Sequence, residues 1–260
     1  MTTRQIAESE IHLWQIYQGD FELSAVQDEC LEWLTEPELS RYRRFQFDRH
    51  RKQLLLGRVL TRAALSHYDS SVSPSQWNFG HNKYGKPEIS EKQNANSLYF
   101  NLSHSAGRVA LAVSRIKEIG IDIEFAGKPR RVAALTQRYF SELEAAEILS
   151  LPQSEQQSRF YDLWTLKEAY IKACGMGLAI PLQHFSYGFP GDEGLTVGFD
   201  AQRNDDADAW QLWQLAAGAD YRLALAAKAG VGSQSHEIVG WRMKGLNEVV
   251  PQAVSVVRHK

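Results

Sequence analysis

An α+β fold is what this sequence predicts, in two halves, and three observations carry that expectation. Strand-like and helix-like segments come in blocks, in the order strand, helix, strands, helices, strands, rather than in strict βαβ alternation. Two helix starts carry one signature: Thr35 with Glu38 three residues on, and Ser141 with Glu144 three residues on. At 260 residues the chain admits one large domain or two small fused ones. The expected boundary falls between Arg115 and Glu118, giving an N-terminal half over 1–116 and a C-terminal half over 117–260. No sequence repeat relates the two.

Ile11 to Tyr17 reads as a strand. A long helical region opens at Thr35 and ends in Leu54-Leu55-Leu56-Gly57-Arg58-Val59-Leu60-Thr61-Arg62-Ala63-Ala64-Leu65. Residues 68–97 are rich in Ser, Asn, Gly and Pro and read mostly as loop. Leu98 to Leu102, Val109 to Val113 and Gly120 to Glu124 are strand-like by their period of two. Helical patterns follow at Val132 to Phe140, from Ser141, and from about Glu155 to Cys174, the last stopping at Gly175. Strands then dominate, at Phe185 to Phe189, Leu195 to Phe199, Trp210 to Leu215 and Tyr221 to Ala227, with a hairpin turn over Gly191-Asp192-Glu193-Gly194.

Composition excludes several classes. Hydrophobic residues make up 43% of the chain, enough for a packed core, and the net charge of −2 gives no reason to expect nucleic-acid binding. No apolar run is long enough to span a bilayer, and the N-terminus lacks a signal-peptide core, so no membrane association is expected. The two cysteines, Cys30 and Cys174, lack metal-type spacing, and a reduced cytoplasmic protein is the expectation.

The residues that carry chemistry lie in two stretches. In Gly120-Ile121-Asp122-Ile123-Glu124 the strand period sends both isoleucines to one face and both carboxylates to the other. In Trp164-Thr165-Leu166-Lys167-Glu168-Ala169-Tyr170-Ile171-Lys172 the helical period puts Trp164, Glu168 and Lys172 on one stripe. Taken alone, alternating charges on a strand usually face water, and an exposed Glu–Lys pair contributes only about 0.3–0.5 kcal/mol. The apolar and aromatic neighbours of Glu168 leave that helix little solvated face, and a carboxylate there needs a cation. A divalent metal would satisfy Asp122, Glu124 and Glu168 together; Mg²⁺ takes oxygen ligands and completes its shell with water and phosphate oxygens.

Other candidates are weaker. Phe100-Asn101-Leu102-Ser103-His104-Ser105 runs off a strand into a turn, where Ser103 and His104 could donate to a phosphate. A lone histidine is more often structural. Gly80-His81-Asn82-Lys83-Tyr84-Gly85-Lys86-Pro87 has P-loop spacing but puts Pro87 where a hydroxyl is needed, so only Lys86 stays as a phosphate contact. Arg41, Arg43, Arg44, Arg49, Arg51 and Lys52 form a basic cluster, read as a solvated helical face with Phe45 and Phe47 turned inward. The sharper reading is a patch for a phosphorylated ligand or an acidic protein.

These motifs resemble, in sequence and order, those of 4′-phosphopantetheinyl transferases of the long type, over roughly residues 35–190. Carrying the resemblance are Tyr84-Gly85-Lys86-Pro87, Phe100 through Ser105, Gly120 through Glu124, and Trp164 through Lys172 followed by Gly175-Met176-Gly177-Leu178. The resemblance implies a transferase that moves the phosphopantetheine arm of coenzyme A onto a serine of an apo acyl, peptidyl or polyketide carrier protein and releases adenosine 3′,5′-bisphosphate. It implies Asp122, Glu124 and Glu168 as Mg²⁺ ligands, Glu168 also as base, directly or through water, and Lys172 as the group that stabilises the leaving phosphate. Lys86, Ser103, His104, Arg41 and Lys167 become cofactor-binding candidates. The implied fold has a pseudo-twofold relation between its halves, with the active site in the cleft between them, and the implied state is a monomer. One departure stands out: relatives often carry an arginine and a small hydroxyl residue where this chain has Gln53 and Leu54, which leaves Arg51, Lys52 or Arg41 to hold the nucleotide.

Two other readings use the same residues. A metal-dependent phosphohydrolase would cleave a pyrophosphate with water, though it usually wants more metal ligands. A binding module that has lost its chemistry would not need to keep three acids and Lys172.

Overall fold

A computed structural model of the chain describes residues 3–260. In chain order its elements begin with β1 (Glu10–Tyr17), α1 (Leu23–Cys30), α2 (Glu36–Arg44), α3 (Asp48–Ser66), β2 (Phe79–His81), β3 (Pro87–Ile89), β4 (Tyr99–Ser105) and β5 (Arg108–Ser114). They continue with β6 (Ile119–Phe125), α4 (Val132–Tyr139), α5 (Glu142–Ser150), α6 (Gln153–Cys174), β7 (Phe185–Gly188), β8 (Thr196–Phe199), β9 (Trp210–Leu215) and β10 (Tyr221–Lys228). The chain ends with β11 (Glu237–Gly245), β12 (Glu248–Pro251) and β13 (Val256–His259).

The chain divides into two compact units, each with its own core. The first comprises Met1–His81, Pro87–Arg115 and His236–Ala253; the second comprises Asn82–Lys86, Ile116–Ser235 and Val254–Lys260. The chain thus passes between units more often than a single division at 116/117 expects. The physical reason is β-pairing. β11 lies parallel to β1 and β12 returns along β11, so these late strands extend the first sheet, ordered β12-β11-β1-β5-β4. β13 pairs with β9 and belongs to the second sheet, ordered β13-β9-β10-β6.

Both units share one connectivity: a strand, a set of helices, a two-stranded hairpin, and two further strands. In the first, β5 lies between β1 and β4; in the second, β10 lies between β6 and β9. Tyr17 at the end of β1 faces Arg108 at the start of β5, and Phe125 at the end of β6 faces Tyr221 at the start of β10. Both capping boxes form as read, closed by Glu38 on Thr35 and by Glu144 on Ser141. Each capping glutamate also holds a buried cation on the long helix that follows. Glu38 binds Arg62 at 2.8 Å and Glu144 binds Lys167 at 2.8 Å. Each cation lies over the phenylalanine that opens the small hairpin, Arg62 over Phe79 and Lys167 over Phe185. A repeat hidden by divergent side chains is therefore present in the fold.

Local departures from the sequence reading have simple causes. The helical region of the first unit breaks into α2 and α3 because Phe45 adopts an extended backbone (ψ 132°) and packs on the core. Phe47, expected inside, is 54% exposed and carries the Arg49 guanidinium on its ring. The segment read as loop holds the short hairpin β2–β3. Both cysteines are free, and no helix among the described residues is long and apolar enough to cross a membrane.

Candidate active site

The acids of the second unit sit where β6 meets α6. Ile121 and Ile123 fill one face of β6, while Gly120, Asp122 and Glu124 alternate onto the other. Gly120 permits the close approach of the helix: a Cβ there would lie 2.0 Å from Ala169 O and 2.4 Å from Ala173 N. With Ala169 and Ala173 also small and buried, α6 settles on the strand backbone. As a result the Lys172 ammonium reaches the buried Asp122 carboxylate, Nζ to Oδ1 at 2.6 Å. Glu168, one helical turn earlier, stands beside the same group.

Electrostatics record that proximity. The Glu168 carboxyl is pushed up to about 7, first by burial and then by the Asp122 charge, with Lys172 pulling it down and Glu124 adding to the rise. A carboxyl poised near neutrality suits a general base. A further carboxylate, Asp162, lies six residues before Glu168 on α6, and burial raises its pKa against the opposing Arg222 charge. Arg222 stands opposite Glu124 in the β6–β10 register and binds Asp162 Oδ1 and Ser158 Oγ, each at 2.7 Å. The sequence reading missed this pair. Its only signal was an arginine alternating into the face that carries the acids.

No three His, Cys, Asp or Glu side chains among the described residues gather as a ready-made metal cage. Asp122 instead meets Lys172. The donor set nonetheless suits a hard cation in the mode Mg²⁺ favours, with one or two carboxylates and the rest of the shell from water and substrate phosphates. The raised Glu168 carboxyl is the observation that fits: burial, and then the Asp122 and Glu124 charges, disfavour its ionised form, which a bound cation would favour.

At the end of α6, Gly175 adopts a left-handed conformation (φ 68°) and stops the helix. Asn82 Nδ2 donates to Gly175 O at 2.7 Å, and its Oδ1 accepts from the backbone of Tyr84 and Lys86. This turn delivers Lys86, whose Nζ donates to Ala173 O at 3.0 Å and Ile119 O at 3.1 Å, tying the helix C-terminus to β6.

Lys167 is a correction. It points away from the acids into the core, with no exposed surface, and its three donors go to Glu144, Leu182 O and Phe185 O. Burial lowers its pKa against the Glu144 charge. It is structural, not a cofactor ligand: the stripe that carries Glu168 and Lys172 excludes the residue one step along the helix.

Ser103, His104 and Arg41 belong to the first unit. Ser103 is buried and His104 exposed, on opposite faces of β4. The Gln53 side chain hydrogen-bonds to the His104 ring, which brings this departure from the resemblance into contact with one of its motifs. Leu54 is a core residue. Arg41, Arg43 and Arg44 are exposed on α2, while Arg51 pairs with Asp48 at 2.7 Å.

Residues 118–226 match the 4′-phosphopantetheinyl transferase superfamily, and residues 22–116 match the N-terminal region of 4′-phosphopantetheinyl transferases. The chain is 34% identical to the 4′-phosphopantetheinyl transferase HetI of Nostoc sp. strain PCC 7120 over 88% of its own length and 92% of that protein. It is 37% identical to the transferase Sfp of Bacillus subtilis strain 168 over 55% of its length and 61% of Sfp. A further B. subtilis 4′-phosphopantetheinyl transferase is 33% identical over 66% of this chain and 73% of that one. With both halves matched and the HetI likeness running nearly end to end, the chain belongs to the 4′-phosphopantetheinyl transferases and is a long-type member of that family.

Proposed function

We propose that this transferase moves the phosphopantetheine arm of coenzyme A onto a serine hydroxyl of an apo carrier protein, in a Mg²⁺-dependent reaction that releases adenosine 3′,5′-bisphosphate. The observation that supports this most is the Glu168 carboxyl, raised to about 7 among Asp122, Glu124 and Lys172. A serine hydroxyl attacks poorly near neutral pH unless a base takes its proton. Glu168 takes that proton as the serine oxygen bonds to the phosphorus on the pantetheine side and the bridging P–O bond to the adenosine side breaks. Lys172, held by Asp122 at 2.6 Å, offsets the negative charge that develops on the departing phosphate. Bound by oxygens of Asp122, Glu124 and Glu168, Mg²⁺ would neutralise the pyrophosphate and orient it. Lys86, Ser103, His104 and Arg41 are proposed contacts of the coenzyme, with Gln53 added through its bond to His104. The exposed basic face of α2 is proposed to meet the acidic surface of the carrier. Both α+β units lie in one chain, and the proposed active form is a monomer.

The test is incubation of apo carrier proteins with coenzyme A, with Mg²⁺ or with a chelator, followed by intact-mass measurement. The expected result is a gain of one phosphopantetheine arm that the chelator abolishes. No gain on any acyl, peptidyl or polyketide carrier, or coenzyme A cleavage without a carrier, would overturn the proposal.

A further inference from the structure

The repeated cation of the two units is satisfied in one and not in the other. In the second unit Lys167 has three donors and three acceptors within 2.8 Å. In the first unit Arg62 is 1% exposed, and Nη2 donates to Glu38 Oε2 at 2.8 Å. Its Nε and Nη1 are buried and have no hydrogen-bond partner among the described residues. A buried guanidinium donor left unmade forfeits its hydration with nothing in return, so two on one side chain is an expensive arrangement for a purely structural arginine. The second difference is space. Arg62 borders a cavity of about 350 Å³, lined also by Arg58, Thr61, Phe79, Phe100 and Pro87.

The charge around that cavity is set by two arginines against one carboxylate. Arg58 Nε lies 2.6 Å from Glu38 Oε1, and Glu38 also accepts from Thr35 N–H and Oγ1–H, so its oxygens are fully engaged. Two guanidiniums against one carboxylate leave that lining net positive. Phe79, Phe100 and Pro87 supply its apolar part.

We infer that this cavity of the first unit is a binding site for a small ligand bearing an oxyanion, carboxylate or phosphate, received by the Nε and Nη1 donors of Arg62 with Arg58 beside them. The planar fork of Arg62 matches two oxygens of one such group, which a lysine at that position would not. Phe79, Phe100 and Pro87 take the apolar body of the ligand. None of these residues is among those proposed to hold coenzyme A or to move the phosphopantetheine arm. The inference therefore stands or falls apart from the transfer reaction.

The experiment is calorimetric titration of the full chain with inorganic phosphate and, separately, with benzoate, at constant ionic strength and without coenzyme A or carrier. Saturable binding with a dissociation constant in the millimolar range or tighter is expected for at least one probe, and which probe binds more tightly tells phosphate from carboxylate recognition. Arg62→Lys keeps the charge next to Glu38 and reproduces the arrangement of Lys167, so it should fold; it removes the fork and is expected to weaken binding about tenfold or more. Arg58→Ala, at the partly exposed rim, should weaken binding while leaving the melting temperature near that of the parent. Absence of saturable binding with both probes would overturn the inference. So would binding that neither substitution changes, which would mark the ion as adventitious.

Discussion

Replacing Glu168 by glutamine isolates the electrostatic cost of the acid cluster. The carboxyl moves from an ordinary 4.5 to about 7 in the folded chain. Each pKa unit corresponds to about 1.4 kcal/mol, so full ionisation in the native state costs about 3.5 kcal/mol, and solvent screening of a half-buried group lowers that to about 2–3 kcal/mol. Because the folded pKa lies above the unfolded one, the native state holds more protons between these values. Stability from this group is then fully present below about pH 4.5 and is lost as pH rises through 7. Glutamine has the same shape and no charge to expel. In chelator, thermal unfolding of the parent and of Glu168→Gln should nearly coincide at about pH 4 and diverge by about pH 8, with the variant higher by about 5–10 °C at 2–4 °C per kcal/mol. Other groups titrate in the same range, but they cancel in the difference between the two proteins. Mg²⁺ added at pH 8 should raise the parent and leave the variant nearly unchanged, since the ion relieves a repulsion that the amide has already removed. A difference between the proteins that stays flat or shrinks as pH rises would refute the account of Glu168 as a carboxyl strained by burial and by its neighbours.

Three further outcomes follow from contacts of single residues. Gly120→Ala drives a methyl group into Ala169 O and Ala173 N; it should cost about 1–3 kcal/mol in denaturant titration and lower kcat by more than tenfold, and a stable, fully active variant would contradict the close-approach argument. Lys167→Ala leaves the buried Glu144 carboxylate without its cation and should destabilise by about 3–5 kcal/mol, with the Michaelis constant for coenzyme A unchanged in the protein that still folds. Arg43→Glu with Arg44→Glu should raise the Michaelis constant for the carrier more than that for coenzyme A, most of all at low salt; the reverse would assign this face to the nucleotide.

Which features could be read from residues alone depended on the range of the interaction. Both capping boxes were legible because Thr35–Glu38 and Ser141–Glu144 close within one turn. The stop of α6 at Gly175 was legible because a left-handed residue at that point favours glycine. The side of β6 that carries Asp122 and Glu124 followed from the strand period. What needed chain-distant pairing was not legible. β11 reaches back to β1 across more than 200 residues, from Glu237 to Glu10, and nothing in its own composition names that partner. Arg222 and Asp162 find each other only once β10 lies beside β6 and α6 crosses both. Lys167 was misread for a related reason: it is adjacent in sequence to Glu168, but a step of one along a helix turns a side chain by about 100° and sends it to another face. The resemblance supplied its neighbourhood in sequence, and only the core contacts supplied its direction.

The internal repeat separates what the scaffold requires from what the chemistry requires. Counted from the register pairs Tyr17–Arg108 and Phe125–Tyr221, Trp14 in β1 occupies the place of Asp122 in β6. Counted from the cations Arg62 and Lys167, His67 occupies the place of Lys172, and Ala63 that of Glu168. The contacts agree with this correspondence: Trp14 and His67 stack at 5.2 Å where Asp122 and Lys172 form their ion pair. His12 meets Tyr68 where Gly120 meets Ala173. The same strand–helix junction is thus built once from aromatic and small residues and once from a carboxylate, an ammonium and a strained acid. In the aromatic version burial lowers the His12 imidazole below its ordinary value, whereas the charged version raises the Glu168 carboxyl to about 7. A fold that can close this junction with Trp14, Ala63 and His67 has no structural need of Asp122, Glu168 and Lys172 there. Their presence in the second unit, where burial and the Asp122 charge raise the Glu168 carboxyl, is what the transfer chemistry proposed above would account for.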